Sequence, residues 1–484
     1  MRTALKDITE EKENGRVYTP SYIVSNILDL SGYYGNAVLK KHIIDNSCGD
    51  GAFLREIVKR YCEAALKNHY STKEIAEDLS IYIHGIEIDN IEKNKCVKNV
   101  SDIAEGYSVY CNKWDIICDD TLTVHRYDGK MDYVVGNPPY VRVHNLGDSF
   151  DAIKQFSFAQ NGMTDLFIVF YEIGLNMLSE NGVLGYITPS SFFNSLAGSY
   201  MRKSFVEGNK IKTIVDLKHF QAFDATTYTT IVILQNKRNS PETDYYQFDE
   251  KNLIPYYVDS LSVDDYYIGG NFYFSQKEKL NLLKQINSNE GTSDVEVKNG
   301  YATLCDDVFI GDFDFDSTFI IPVIKSSKGI KKKVIFPYDK HGHLIPESTL
   351  KQDSELYKYL THNKEKLTKR SNEKEASQYW YAFGRSQAIN DTYKDKVAIN
   401  SLLRDENDLK FVSAPAGVGV YGGLYIIGGS IPTEQIIKVL KNDEFMTYVS
   451  LLGKYKSGGY YTFSSKDVKK YVDYKLAYNG GLFA

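Results

Sequence analysis

The sequence lacks the features that would place it in a membrane, outside the cell or around a structural metal. Its longest nearly uninterrupted apolar run, residues 166–175, is about half of the ~20 residues that a transmembrane helix needs. Residues 1–14 are rich in Lys and Glu and have no apolar core, so they do not form a secretory signal. The six cysteines include no Cys-x-x-Cys pair, which argues against a zinc ribbon, and we expect no metal. Reduced thiols are typical of the cytosol, so the sequence predicts a cytoplasmic protein.

An overall excess of basic charge, which is common in nucleic-acid binders, is also missing, because the formal net charge is −6. The total conceals an uneven distribution along the chain. Acidic side chains outnumber basic ones over residues 1–316, whereas basic side chains outnumber acidic ones over residues 317–484. A basic segment of this length is the pattern of a polyanion-binding surface, although a lysine-rich solvated surface would have the same composition.

The first half of the chain alternates strand-length apolar runs with segments of helical length. This alternation predicts a doubly wound, mostly parallel α/β sheet of seven strands. The last two runs are separated by ten residues, too few for a helical crossover, so we expect the final strand to be antiparallel to its neighbour. The predicted strands are residues 42–46, 81–88, 107–111, 131–136, 183–188, 211–217 and 228–235. The predicted helices are residues 52–67, 90–103, 164–179 and 190–207.

A polar, proline-containing segment at residues 236–244 predicts a linker between two domains. We therefore expect a first domain over residues 1–240 and a second over residues 246–484. The second half shows no strand–helix alternation, which favours an α+β domain. Residues 417–429 are typical of irregular β structure, and residues 348–375 are typical of polar helix.

The turn after the first predicted strand contains the first group of residues with a chemical signature. Asp45 stands at the strand tip, and Gly49-x-Gly51 opens the helix that follows, which allows close approach of a nucleotide-like ligand. A dinucleotide-binding turn would have a third glycine where Leu54 stands. A carboxylate at the strand tip repels a pyrophosphate but suits an ammonium group, and Glu87 at the next strand tip could accept from ribose hydroxyls. The two acids favour S-adenosyl-L-methionine as the cofactor, although a Gly-x-Gly alone is a weak signal.

The second group is Asn137-Pro138-Pro139-Tyr140, at the end of the fourth predicted strand, where open α/β sheets bind their ligands. The amine of an adenine is a poor nucleophile because its lone pair is delocalised into the ring. The Asn137 side-chain oxygen and the Pro138 carbonyl could accept both amine hydrogens, and Tyr140 offers a face for the base to stack on. A bare Pro-Pro usually only ends a strand, but this four-residue sequence is more specific.

These motifs, in this order, resemble the gamma-class N6-adenine DNA methyltransferases of bacterial restriction–modification and epigenetic systems, the Asn-Pro-Pro-Tyr family. The resemblance covers about residues 15–240. It implies a sequence-specific enzyme that transfers a methyl group from S-adenosyl-L-methionine to the N6 amine of an adenine flipped out of the duplex. It also implies a fuller set of site residues, with Asn137, Pro138 and Tyr140 as the catalytic residues. An amino-terminal cofactor motif, Gly15-Arg16-Val17-Tyr18-Thr19-Pro20, is part of the resemblance. The cofactor residues are Thr19 of that motif at the carboxylate, Asp45, Ser47, Gly49 and Gly51 in the loop, Glu87 and Ile88 at the ribose, Asp115 (or Asp119 or Asp120) at the adenine amine, Asn137, and Phe170 on the adenine ring. The target adenine would stack between Tyr140 and Phe223, with Tyr228 as the alternative to Phe223.

The second half resembles the target-recognition domains of the same family more loosely. Arg385 and Gln387 could read base edges. The predicted phosphate contacts are Lys331, Lys332, Lys333, Lys454 and Lys456, although each could equally be a solvated surface charge. For Trp380 and Phe383 we expect burial in the domain core.

Double-stranded DNA is therefore the expected partner, with a separate restriction endonuclease as a further one and no membrane. Methyltransferases acting on RNA guanine or protein glutamine also use Asn-Pro-Pro-aromatic and remain the alternative. They place any extra domain before the cofactor motif, whereas here about 14 residues precede Gly15 and a large basic segment follows. A non-catalytic subunit with a degenerate site is disfavoured by the intact Asn137 and Tyr140.

Overall fold

The computed structural model of the protein describes residues 18–142, 153–223, 227–370 and 379–479. The chain forms two compact units, Met1–Asn281 and Leu282–Ala484. Within the described residues, no helix combines the length and the apolar character needed to cross a membrane.

The first unit is built on a nine-stranded sheet with the strand order β3-β2-β1-β4-β5-β7-β6-β8-β9. Its elements in chain order are α1 (Ser21–Ser31), β1 (Ile43–Asp45), α2 (Ala52–Lys67), α3 (Thr72–Tyr82), β2 (Ile83–Glu87), α4 (Asn90–Gly106), β3 (Asp115–Cys118), β4 (Met131–Gly136), α5 (Leu166–Met177), β5 (Leu178–Pro189), α6 (Ser199–Glu207), β6 (Ile211–Asp216), β7 (Thr229–Gln235), β8 (Thr243–Asp249), β9 (Ile254–Leu261), α7 (Val263–Tyr266), β10 (Tyr267–Ile268), β11 (Asn271–Phe272) and α8 (Lys277–Ser288). Strands β3, β2, β1, β4 and β5 are parallel, and β7 is antiparallel to both β5 and β6. The α/β class, the mostly parallel sheet and the antiparallel pairing of the last predicted strand are confirmed. The predicted number of seven strands is wrong, because β8 and β9 extend the sheet to nine.

Burial explains why the strands read as continuous apolar runs. Six consecutive residues of β7 are buried, so both faces of the sheet are covered at that point. Helix α2 instead buries residues at spacings of three and four, from Phe53 through Ile57 to Tyr61, which is the pattern of a helix with one face on the core. The carboxyl ends of the parallel strands share one edge of the sheet, and that edge carries the motifs identified above.

The prediction of a strand at residues 107–111 is wrong. Tyr107 and Ser108 complete the last turn of α4, donating from their backbone amides to the carbonyls of Ala104 and Glu105 at 2.9 and 2.8 Å. The strand is β3, Asp115–Cys118, whose two central apolar residues are too few to signal a strand. Asp115 therefore begins a strand instead of following one.

The predicted domain boundary near residue 240 is also misplaced. Strand β8 pairs in parallel with β6 and antiparallel with β9, so the sheet continues past the polar segment. Thr243 and Tyr245 of β8 are 1% and 0% exposed, which shows that this tyrosine-rich strand belongs to the core. The boundary falls instead between Asn281 and Leu282, inside α8.

The second unit is an α+β structure, as predicted. Its elements are β12 (Glu296–Asn299), α9 (Asp306–Phe309), β13 (Ile310–Gly311), β14 (Ile320–Lys325), β15 (Ile330–Ile335), α10 (Glu347–Leu350), α11 (Ser354–His362), α12 (Lys364–Lys369), β16 (Lys396–Ile399), β17 (Leu402–Leu403), β18 (Phe411–Ala414), β19 (Gly419–Tyr421), β20 (Leu424–Ile427), α13 (Thr433–Leu440), α14 (Asp443–Leu451), β21 (Tyr455–Lys456), β22 (Tyr460–Thr462) and α15 (Ser465–Asn479). The strands form the sheets β12-β20-β16-β18, β13-β15-β14-β19 and β17-β22-β21.

The predicted polar helix at residues 348–375 and the predicted burial of Trp380 and Phe383 have different outcomes. The polar helix expected at residues 348–375 is a series of three short helices, α10 to α12, and residues 371–378 lie outside the described part. Trp380 and Phe383 are 2% and 6% exposed within an aromatic core, which confirms their predicted burial.

Candidate active site

The loop between β1 and α2 contains a buried carboxylate. Asp45 ends β1 with 2% of its surface exposed, and its Oδ1 accepts a hydrogen bond from the Ser47 backbone amide at 3.0 Å. Burial raises the pKa of Asp45 to about 7; the hydrogen bond from Ser47 opposes this shift, and the charge of Glu87 adds to it. A carboxylate in this environment would be stabilised by a cation placed beside it.

The two glycines of the loop are required by its geometry. Gly49 and Gly51 have φ values of +52° and +94°, in the region that glycine adopts at no steric cost. A Cβ atom on Gly51 would lie 2.8 Å from the Sγ atom of Cys96 on α4. The loop can therefore pass close to α4 only with glycine at this position.

Glu87 ends β2 and orients the same loop. Its Oε2 accepts from the Gly49 amide and its Oε1 from the Asp89 amide, each at 2.9 Å. Asp89 in turn caps α4 by accepting from the amide of Ile91 at 2.7 Å. Ile88, between the two acids, has 70% of its side chain exposed at this edge.

The Asn-Pro-Pro-Tyr segment follows β4 and contacts the other two motifs. The Asn137 Nδ2 donates to the Thr19 hydroxyl at 3.1 Å, and the Ser47 hydroxyl donates to the Asn137 carbonyl at 3.4 Å. Thr19 is 8% exposed and Pro138 is buried. The structure therefore brings Thr19, Ser47 and Asn137, taken from three separate motifs, into one cluster at the carboxyl edge.

Tyr140 is anchored through its hydroxyl and packs between two phenylalanines. The hydroxyl donates to the Ile187 carbonyl at 3.0 Å. The Tyr140 ring meets Phe167 and Phe223 edge to face, with both centroids at 6.3 Å and interplanar angles of 78° and 75°. Phe223 is 8% exposed and belongs to the core of the unit. A base held between parallel faces of Tyr140 and Phe223 would require the Phe223 ring to turn, so its stacking role stays a prediction.

The assignment of Asp115 to the cofactor is wrong. In the parallel pair β2–β3, Asp115 lies opposite His84, whereas Cys118 lies opposite Glu87. Asp115 is thus at the amino edge, remote from the loops, where it accepts from the His84 ring at 2.6 Å and the Tyr127 hydroxyl at 3.1 Å and pairs with Arg126. Burial alone would raise the pKa of Asp115, but the hydrogen bond and charge of His84 hold it below its usual value.

Asp119 and Asp120 follow β3 and are the alternatives to Asp115 as the acceptor for the adenine amine of the cofactor. The Asp119 amide donates to the Glu87 carbonyl at 3.1 Å, which places Asp119 at the carboxyl edge of the sheet. The Asp120 side chain accepts from the Leu122 amide at 3.0 Å.

Phe170 lies buried on α5, 5% exposed, and its contact with a cofactor adenine stays a prediction.

Tyr186 and Thr121 support the loop after β1 through hydrogen bonds to Asn46, and neither carries a signal in the sequence. Asn46 is fully buried; its side-chain oxygen accepts from the Tyr186 hydroxyl at 2.9 Å, and its carbonyl accepts from the Thr121 hydroxyl at 2.6 Å. Tyr186 comes from β5 and Thr121 from the segment after β3, so both contacts join residues far apart in the sequence. Residues 15–17 of the amino-terminal motif and 224–226 after Phe223 lie outside the described part of the chain.

The candidate DNA-binding residues of the second unit have distinct environments. Lys331, Lys332 and Lys333 are exposed along β15, and among the described residues no carboxylate pairs with them. Lys454 instead forms an ion pair with Asp467 at 2.6 Å, so its charge is balanced inside the unit. Lys456 is exposed.

Arginines for which the sequence indicated no role have structural contacts. Arg370 donates to the carbonyls of Thr303 and Trp380 at 3.0 and 3.1 Å. The Arg404 guanidinium lies over the Tyr460 ring at 5.4 Å.

The comparison with known families gives this site its context. Residues 53–223, which include Glu87, the Asn-Pro-Pro-Tyr segment and Phe223 but neither Thr19 nor the Asp45–Gly51 loop, match the family described as Eco57I restriction-modification methylase. This segment, about a third of the chain, is similar to Eco57I-type restriction–modification methylase domains. This confirms the resemblance to restriction–modification methyltransferases.

The cofactor of this methylase family is S-adenosyl-L-methionine, as the sequence predicts. The residues at the carboxyl edge fit it. Asp45 is a buried carboxylate that a cation would stabilise, and the glycine-containing loop leaves room for close approach of a ligand.

Individual relatives support the same family. The methylase domain is similar to the Type II methyltransferase M.BstVI of Geobacillus stearothermophilus, with 32% identity over 46% of this chain and 42% of that protein. It is similar to M.PaeR7I of Pseudomonas aeruginosa, with 28% identity over 46% of this chain and 40% of that protein. The match thus spans less than half the length of these two relatives. The modification methylase CviBIII of Paramecium bursaria Chlorella virus NC1A is 27% identical over 71% of this chain and 74% of its own length.

Solved structures support the fold. The Type IIL restriction-modification enzyme MmeI, solved in complex with DNA, superposes with a TM-score of 0.63 at 14% identity, covering 92% of this chain and 63% of MmeI. The ATP-dependent Type ISP enzyme LlaBIII bound to DNA gives a TM-score of 0.51 at 14% identity, over 90% of this chain and 36% of LlaBIII.

Proposed function

We propose that this protein is a sequence-specific DNA adenine methyltransferase that acts on the N6 amine of an adenine flipped out of the duplex. The observation that carries the proposal is the placement of Asn137-Pro138-Pro139-Tyr140 against the cofactor loop. The Asn137 side-chain nitrogen donates to the Thr19 hydroxyl, and the Asn137 backbone carbonyl accepts from the Ser47 hydroxyl. An amine presented to this segment would lie at the same edge as the loop that holds the methyl donor.

The chain's residues would act mainly by orientation. The Asn137 Oδ1 and the Pro138 carbonyl would accept the two amine hydrogens, and Tyr140, fixed by its bond to Ile187, would offer one ring face to the base. Such acceptors keep the nitrogen lone pair directed at the methyl group that the bound cofactor supplies.

The cofactor would be held by residues at three strand ends. Asp45 would bind its ammonium group and Glu87 its ribose hydroxyls, with Thr19 near its carboxylate. Asp119 or Asp120 takes over from Asp115 as the acceptor for its adenine amine, because both follow β3 at the correct edge.

Duplex DNA would be the macromolecular substrate. The exposed lysines of β15, which pair with no carboxylate among the described residues, supply positive charge suited to phosphates. The solved structures of MmeI and LlaBIII, which share the fold, are described as DNA complexes. A separate restriction endonuclease would be a further partner, since M.BstVI and M.PaeR7I are named as Type II methyltransferases without a nuclease. The 22% identical RM.Eco57I of Escherichia coli is instead named as both a restriction enzyme and a methyltransferase.

The experiment that tests this function is modified-base sequencing of DNA from methylation-deficient cells expressing the full chain. We expect N6-methyladenine at one sequence motif, confirmed by mass spectrometry of the hydrolysed nucleosides. An Asn137→Ala chain expressed at the same level serves as the control and should leave the DNA unmodified. Methylation of cytosine instead, or of RNA or protein with unmodified DNA, would contradict the proposal.

A second prediction concerns the walls of the base pocket, Tyr140 and Phe223. Stacking of a base on an aromatic ring contributes roughly 1–3 kcal/mol, so Tyr140→Ala should weaken capture of the flipped adenine while Tyr140→Phe retains most of it. We expect Phe223→Leu to weaken capture as well. The measurement is the fluorescence of 2-aminopurine at the target position, which rises when the base leaves the stack.

Phe167 provides a matched control, because it meets Tyr140 at the same 6.3 Å distance but is 0% exposed. Phe167→Leu should lower the melting temperature and leave the fluorescence rise unchanged. If Phe223→Leu behaves in the same way, Phe223 is a core residue and Tyr228 becomes the candidate for the second wall.

A further inference from the structure

A short loop of the second unit, residues 385–391, is fixed at its start and strained in its middle. A β-bridge joins Arg385 to Ala302, and the Arg385 amide donates to the Ala302 carbonyl at 3.1 Å. Ala388 has a φ of +68°, a left-handed conformation that is unfavourable for a residue with a Cβ atom. Strain of this kind persists only where the surroundings hold the backbone, and it is concentrated at functional sites.

The end of the loop is tied to a buried carboxylate. Asp391 is 4% exposed and accepts from Lys298 at 2.9 Å, from the Tyr425 hydroxyl at 2.8 Å and from Lys394 at 2.8 Å. Burial opposes the ionisation of Asp391, but the hydrogen bonds from these donors lower its pKa to about 2. The loop is therefore linked to β12 through Lys298 and to β20 through Tyr425.

A buried lysine secures the backbone that follows. Lys396 begins β16, is 5% exposed, and its ammonium donates to the carbonyls of Asp391, Thr392 and Lys394 at 2.9, 3.1 and 2.9 Å. Burial lowers the pKa of Lys396 to about 8. Buried contacts therefore hold the backbone at the end of the loop and directly after it.

The side chains of this loop line two adjoining cavities of about 550 and 420 Å³, which share Asn299 and Gln387 as lining residues. Ser386 and Asn390 line the first cavity, and Arg385 lines the second. The linings are rich in hydrogen-bonding groups, unlike the mainly apolar pockets that bind small molecules.

The hydrogen-bonding capacity of these side chains is largely unused. The Gln387 Nε2 donates to the Gly300 carbonyl at 2.6 Å, which leaves its second N–H and its Oε1 for another partner. Arg385 is exposed, and in the described part of the chain no carboxylate or carbonyl pairs with its guanidinium. Lys298 and Lys394 next to the loop are instead both committed to Asp391.

We propose that residues 385–390 form the base-reading element of the second unit, and that it reads major-groove edges of duplex DNA. Arg385 presents a planar fork that matches the O6 and N7 acceptors of guanine. Gln387 and Asn390 present amides that match the N6 and N7 groups of adenine. The inference deepens the proposed function and rests on it for the identity of the polymer. It separates base reading by this loop from phosphate binding by the lysines of β15.

The test is selection of bound duplexes from a library with a randomised centre, using the full chain and two variants. Arg385→Lys keeps the charge but loses the fork, so we expect the preference for guanine at one position to fall roughly 10- to 100-fold. Binding of unselected duplexes should change little. Lys332→Ala is the matched control, and it should weaken binding to all sequences about equally without changing the selected sequence. The slope of the logarithm of the binding constant against the logarithm of salt concentration should become shallower by about 1.

Each outcome decides the question. If Arg385→Lys selects the same sequence with the same preference as the unaltered chain, or if the unaltered chain selects no sequence, the base-reading role is wrong. A chain that selects a sequence through Arg385 but leaves its adenines unmethylated would instead refute the proposed function and keep the reading loop.

Discussion

Asp45→Asn should abolish measurable binding of S-adenosyl-L-methionine while the cofactor-free protein becomes more stable at pH 8. The substitution keeps the shape of the side chain and an oxygen that can accept from the Ser47 amide. It removes the charge that would meet the cofactor's ammonium group. Loss of one partner of a buried ion pair costs about 3–5 kcal/mol, so affinity should fall roughly 200- to 5,000-fold, which calorimetry would register as no measurable binding.

The stability effect follows from the direction of the pKa shift. The pKa of Asp45 in the folded chain, about 7, is above the usual aspartate value of 3.8. The folded state therefore binds more protons than the unfolded state between these values, and stability falls as the pH rises through this window. Asn cannot ionise, so the Asp45→Asn variant should be as stable as the unaltered protein near pH 4. At pH 8 its free energy of unfolding should be higher by roughly 1–4 kcal/mol. Cofactor affinity of the unaltered protein should rise over the same pH range as Asp45 ionises.

Asp216 offers a matched control for Asp45. It also ends a strand, β6, is 5% exposed, and its Oδ1 accepts from the amide two residues later, Lys218, at 2.9 Å. It lies four strands away from β1 in the sheet. Asp216→Asn should leave cofactor affinity unchanged. If Asp45→Asn binds the cofactor normally and melts at a lower temperature, Asp45 is only a structural cap of its turn.

The sequence predicts those elements whose signals are local. The bounds of α2 and β4 agree with the prediction because each ends in a strong local signal, Gly51 before α2 and Pro138-Pro139 after β4. Strand β3 has no such signal, since its four residues hold one apolar pair between polar ends. The strand prediction therefore moved to residues 107–111, and Asp115 was assigned to the wrong edge of the sheet.

Strand β8 shows a different reason for failure. Its sequence is polar and aromatic, with alternating burial along the strand and no Val or Ile. Its stability depends on pairing with β6 and β9, which are distant or later in the chain. Local composition therefore indicated a linker where the sheet continues.

The site shows the same division between local and distant information. Residue types and order were sufficient to predict that Asp45, Glu87 and Asn137 lie together at the carboxyl edge of the sheet. The contacts that hold them come from elsewhere, because Tyr186 reaches Asn46 across 140 positions and Thr19 reaches Asn137 across 118. A sequence pattern contains no distance between such pairs, so the supporting residues could be found only in the folded chain.

The contact between Asn137 and Thr19 leads to the second large expected effect. The Asn137 Nδ2 donates to the Thr19 hydroxyl at 3.1 Å, which sets the orientation of the amide. In the proposed function the Asn137 oxygen would accept from the substrate amine. Asn137→Ala should lower kcat by about 10³-fold or more, since it removes both the acceptor and its orientation. Calorimetry should show cofactor affinity within a few-fold of the unaltered protein.

Thr19 should act partly through Asn137, and a double-variant cycle measures that part. Thr19→Val keeps the side-chain shape but loses the hydroxyl, so Asn137 loses one hydrogen bond and kcat should fall about 10-fold. Thr19→Ser, which retains the hydroxyl, should restore most of the rate. In the Asn137→Ala background, Thr19→Val should cause no further loss of kcat, because the group that it orients is already absent. Equal losses from Thr19→Val in both backgrounds would show that Thr19 acts on the cofactor alone, and the orientation of Asn137 would then depend on the Ser47 contact to its backbone.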